Sequence, residues 1–229
     1  MRGVVAAGLL ALVGVLGGCG ATGPRSAAGP SPAAHPATAR PGAPASGWPA
    51  YASSTAPVTM ARLGPSWHAG CPVGPEGLRL LTVRYAGFDG RAHDGELVLA
   101  AGLTDEVAAI FAELYRTQFP IRLMRTVDAY GGSDDDSMAA DNTSAFNCRP
   151  VTGGTAWSEH AYGRAIDVNP RENPYVSGGT VLPPGASVDR TRTVPGMVTA
   201  AVVAAFGRRG WAWGGAWTDP VDYQHFQKR

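Results

Sequence analysis

The chain carries almost no excess charge and no block of either sign. Among its 229 residues, 19 Lys and Arg oppose 18 Asp and Glu, for a formal net charge of +1. Without a long basic run there is no electrostatic footprint for nucleic acid, and that class of partner is set aside. No Ser-x-x-Lys and no Gly-x-Ser-x-Gly occurs downstream of the N-terminal segment, so nucleophilic serine chemistry lacks its activating partner. No Cys-x-x-Cys pair is present to hold a structural metal, and no internal repeat is visible.

What is there begins with a leader. Met1-Arg2 is a short positive start, and residues 3–18 are uncharged and rich in Ala, Val, Leu and Gly. These are the charged and apolar regions of a secretory signal. The alternative is one uncleaved membrane helix, but 16 residues with five glycines fall short of the roughly 20 apolar residues such a helix needs. Leu16-Gly17-Gly18-Cys19 resembles the bacterial lipobox, which implies a lipid on Cys19 and an anchor on the outer face of the cytoplasmic membrane. Cys71 and Cys148 then remain as an even pair in an oxidising compartment, and a disulfide is expected between them. Two buried free thiols are the alternative.

Residues 21–57 are mostly Pro, Ala, Ser, Gly and Thr, with few bulky apolar side chains. Such a segment does not bury enough surface to offset its ordering entropy. The expected organisation is therefore a signal peptide over 1–18, a lipid-anchored, stiffened tether over 19–57 and one folded domain over 58–229.

Within that domain, 78–85 and 95–99 read as strands about a turn at Phe88-Asp89-Gly90. A helix opens at Thr104-Asp105-Glu106, with Val107, Ile110, Phe111 and Leu114 on one apolar face, and Pro120 ends it. Residues 121–127 read as a strand, 130–142 as a polar loop and 195–209 as a second helix with Pro195 in its first turn. Strands and helices mix without a regular alternation, so the class is α+β.

Two segments carry the chemistry: Ser158-Glu159-His160-Ala161-Tyr162-Gly163-Arg164-Ala165-Ile166-Asp167, and Asp222-Tyr223-Gln224-His225-Phe226. A catalytic zinc site takes three ligands from His, Asp or Glu and keeps a fourth position for water. Of five histidines, only His160 and His225 lie in the C-terminal half, each with a carboxylate nearby. Residues 165–168 read as a strand with Ile166 and Val168 on one face and Asp167 on the other, which aims an Asp into a cleft while its neighbours anchor in the core. Asp222 lies three residues before His225, within reach of one shared site.

These residues resemble the VanY-type zinc D-alanyl-D-alanine carboxypeptidases, within the wider group of Hedgehog-like metallopeptidases. The family pattern is Ser-x-His-x-x-Gly-x-Ala-x-Asp followed by an acidic residue three before a second His. Ser158, His160, Gly163, Ala165, Asp167, Asp222 and His225 match it, with Asp222 where many members have Glu. The resemblance implies a small antiparallel sheet with flanking helices and Zn²⁺ held by His160, Asp167 and His225. It implies Asp222 as the base that takes a proton from water and passes it to the leaving amine. Ser158 would contact substrate or cap a turn. An arginine would hold the substrate carboxylate or the developing oxyanion, with Arg149 the first candidate and Arg125 the second. The implied substrate is the peptidoglycan stem peptide, with loss of its terminal D-Ala favoured over an endopeptidase cut. The alternative is an inactive lipoprotein that keeps the zinc fold and binds cell wall or a partner protein. Trp211, Trp213 and Trp217 are read as either a substrate wall or packing, and Asp134-Asp135-Asp136 as solvated charge.

Overall fold

The computed structural model describes residues 47–228. The expected signal peptide, Cys19 and the first part of the tether lie outside the described residues. In chain order the elements are strand β1 (Ser53–Pro57), helix α1 (Met60–Leu63), strands β2 (Leu78–Gly87) and β3 (Ala92–Ala100), and helix α2 (Thr104–Arg116). Short strands β4 (Pro120–Ile121) and β5 (Leu123–Met124), helix α3 (Asp134–Ala139) and strand β6 (Asn142–Thr143) follow. Then come β7 (Ala165–Asp167), β8 (Tyr175–Ser177), β9 (Thr180–Leu182), helix α4 (Ala200–Gly207), β10 (Trp211–Trp213), β11 (Val221–Asp222) and β12 (His225–Lys228). The result is a mixed α+β domain with several small sheets. Among the described residues, no helix is long and apolar enough to cross a membrane.

The expected hairpin forms as β2 and β3, antiparallel with Leu81 opposite Leu97 and Val83 opposite Gly95. Strand β1 adds to the other edge of β2, also antiparallel. This corrects the tether boundary, because folded structure begins before residue 58. All five residues of β1 are exposed, so its pairing rests on backbone hydrogen bonds rather than side-chain burial, and composition gives no sign of it. Ahead of it, Tyr51 donates its hydroxyl to the carbonyl of Ala108, and Trp48 packs edge-on against Tyr115.

Three other expectations need correcting. The strand over 121–127 is two fragments, because β4 pairs with β2 while β5 pairs with β6 in a different sheet. The loop over 130–142 contains α3: Ser133 caps it by accepting from the backbone of Asp136, and three acidic residues in its first turn suit the positive end of a helix. The helix expected over 195–209 starts only at Ala200. Asn173 holds the preceding segment out of helical geometry, donating to the carbonyl of Gly196 and accepting from the backbone of Val198.

One core joins both halves of the domain. Val107, Ile110, Phe111 and Leu114 of α2 pack with Leu81, Val83, Leu97 and Leu99 of the hairpin, and with Ile166, Val168, Phe206 and Phe226. Phe226 stacks on Phe206 at 3.9 Å between ring centroids. Burying a side chain of this size is worth about 1.5–3 kcal/mol, so β7 and β12 are anchored where their alternate residues turn to the opposite face.

Candidate metal centre

Strands β7 and β12 are antiparallel neighbours, with His225 directly opposite Asp167 and Phe226 opposite Ile166. Ile166 and Phe226 enter the core, so the pleat sends Asp167 and His225 to the other side together. His160 comes from a single 3-10 turn, Glu159–Tyr162. The turn ends at Gly163, whose φ of +66° is left-handed and whose place a Cβ would bring to 2.5 Å from the backbone nitrogen of Ala100. Only glycine fits there, and the tight exit returns the chain to β7 beneath His160.

The three side chains converge. Nε2 of His160 lies 3.1 Å from Oδ2 of Asp167 and 3.2 Å from Nδ1 of His225, and that Nδ1 lies 3.2 Å from Oδ1 of Asp167. The outward nitrogens settle the tautomers. Nδ1 of His160 meets the carbonyl of Ala145, which only accepts, so the proton is on Nδ1. Nε2 of His225 donates to Oε1 of Gln227 at 3.1 Å. Each imidazole therefore presents a lone pair to the same point that the carboxylate faces.

Two lone pairs and a carboxylate this close could hold a metal ion between them. With bonds of about 2.0–2.1 Å and tetrahedral angles, neighbouring zinc ligands lie about 3.3–3.4 Å apart. The observed separations are close to that, and all three residues are buried. The donor set fits Zn²⁺.

Electrostatics follows from the packing. Burial opposes ionisation of Asp167, yet when the imidazoles take up a second proton in place of a shared metal, their charge and hydrogen bonds outweigh it and hold the carboxyl well below the usual carboxylate range. Burial pulls His225 down, and the hydrogen bond and charge of Asp167 more than reverse it, so its pKa is raised. Asp222 behaves oppositely. Burial, reinforced by the charge of Asp167, pushes its carboxyl up to about 7. Its Oδ1 is shielded from solvent and has no hydrogen-bond partner.

A cleft of about 470 Å³ opens here, and His160, His225, Asp222, Ser158, Arg149 and Trp217 line it. Ser158 caps the histidine turn by accepting from the backbone of His160, so of its two readings the capping one is observed. Arg125 does not belong to this site. It lines a separate groove with Arg62, Tyr85 and His93, on the β5 side of the hairpin. Its backbone is held beside β6, donating to Oδ1 of Asn142 and accepting from Nδ2 of the same residue. Cys71 and Cys148 form the expected disulfide, one residue before Arg149. The tryptophans divide: Trp211 is in the core, Trp213 donates to the carbonyl of Tyr223, and Trp217 stands in the cleft 5.4 Å from the ring of His225.

Gln227 and Tyr175 are among the cleft residues that the sequence pattern did not single out. Gln227 lies two residues beyond His225 on β12, so strand alternation alone places it on the same face. Tyr175 sits opposite Asp222 in the β8–β11 pair, a contact that no local pattern encodes.

A buried His/Asp/His set with an acid beside it, in an open cleft, defines a candidate centre for metal-assisted hydrolysis. Residues 152–228 match the family model described as D-alanyl-D-alanine carboxypeptidase, a span that holds His160, Asp167, Asp222 and His225 and supports a peptidase. The match covers about a third of the chain, and Cys71, Cys148 and Arg149 precede it. No curated protein and no solved structure matches the chain significantly.

Proposed function

We propose that the protein is a zinc-dependent peptidase that hydrolyses peptidoglycan stem peptides, acting as a D-alanyl-D-alanine carboxypeptidase in preference to an endopeptidase. A lipid on Cys19 would hold it at the outer face of the cytoplasmic membrane, with the tether giving reach toward the wall. The observation that carries the reading is the mutual spacing of 3.1–3.2 Å among the ligand atoms of His160, Asp167 and His225.

Zn²⁺ held by these residues would polarise the scissile carbonyl and acidify the attacking water. Asp222 supplies the base. Its carboxylate takes the proton as water attacks and returns it to the amine as the C–N bond breaks. Its unpartnered Oδ1 is the atom free to do so. Arg149, in the same cleft, offers the cation for the substrate's terminal carboxylate.

The test is digestion of purified peptidoglycan by the zinc-loaded protein, with products identified by mass. Released D-Ala supports the carboxypeptidase, and larger stem fragments support the endopeptidase. Retained zinc with no released product would leave the binding-protein reading in its place.

A further inference from the structure

The acidic run Asp134-Asp135-Asp136 does more than sit in solvent. Asp135 and Asp136 are exposed, but Asp134 accepts from Nη2 of Arg149 at 2.8 Å, with the two side chains only 20% and 21% exposed. The capped first turn of α3 fixes where Asp134 stands.

The backbone of Arg149 is equally fixed. Cys148 is tied to Cys71 and donates to the carbonyl of Ser66, while the carbonyl of Arg149 accepts from Ser158, two residues before His160. The side chain is a different matter, since a free arginine carries large rotamer entropy. Asp134 takes Nη2 and the carbonyl of Pro150 takes Nη1. Nε is left shielded from solvent and without a partner.

We propose that Asp134 is a positioning residue: it holds the Arg149 guanidinium in the cleft as the cation for the substrate's C-terminal carboxylate. The inference rests on the peptidase reading above. It commits the acidic run to substrate recognition through one member only.

The test uses the full chain and N-acetylated L-Lys-D-Ala-D-Ala, as the free acid and as the C-terminal amide. Binding is measured calorimetrically on metal-free protein, and turnover after zinc loading. Asp134→Asn is expected to weaken binding of the acid and raise its KM by about tenfold, with kcat within about twofold and the amide unaffected. Asp134→Glu should recover most of the loss. Asp135→Asn, which removes the same charge from an exposed site on the same turn, should match the native protein. If Asp134→Asn binds the acid as tightly as Asp135→Asn does, or weakens acid and amide alike, the assignment is overturned. If no zinc-loaded protein turns over either peptide, the carboxypeptidase reading falls, and the binding comparison still decides the role of Asp134.

Discussion

Gln227→Leu isolates the contact that orients His225. In the native protein Oε1 of Gln227 accepts from Nε2 of His225, which leaves Nδ1 unprotonated and facing His160 and Asp167. Leucine is close in volume and accepts nothing. The His225 proton then either stays on a buried, unpartnered Nε2 or moves to Nδ1, where it must be expelled before a metal binds. An unsatisfied buried donor costs about 1–3 kcal/mol, and loss of such an outer contact typically lowers metal affinity about 10–100-fold. Gln227→Glu keeps an acceptor at that point and should bind zinc at least as tightly as the native chain. The assay is competition for zinc with a fluorescent chelator at fixed pH, with circular dichroism showing that both variants fold. Zinc affinity of Gln227→Leu within about twofold of native would refute the reasoning, since this class of contact is worth at least about tenfold.

Other consequences concern stability. Burial, with the hydrogen bond and charge of Asp141 behind it, raises Glu172 from an ordinary 4.5 to about 7, so the folded state holds this proton more tightly than the unfolded chain. That contribution is complete below about pH 4.5 and is lost as pH rises through about 7. Glu172→Gln should therefore flatten the pH dependence of urea unfolding and be more stable than native at pH 8 by about 1–3 kcal/mol; parallel pH profiles would contradict it. The disulfide closes a sequence separation of 77 residues. Replacing Cys71 and Cys148 with Ser should cost about 2–5 kcal/mol in denaturant unfolding and abolish any effect of reductant on stability; a variant as stable as the oxidised native protein would contradict it.

The site was legible where chemistry is local. Ser158 to Asp167 encodes a cap, a turn that only Gly163 can close, and a strand whose alternation separates Asp167 from Ile166 and Val168. The pair Asp222 and His225 is likewise a short pattern. What failed to show depends on contacts remote in sequence. Asp134 meets Arg149 across a loop that folds back, where Asn147 donates to the carbonyl of Gly132, and Arg125 lines a different groove. Strand β1 was hidden for another reason: its partner is the backbone of β2, and backbone pairing leaves no mark on composition.

Zinc content after exhaustive dialysis bears most directly on the central claim that His160, Asp167 and His225 form one metal site with Asp222 outside it. The native protein and Asp222→Ala should each retain a single zinc per chain, while His225→Ala retains almost none. Zinc lost from the native protein, or kept in full by His225→Ala, would contradict that claim.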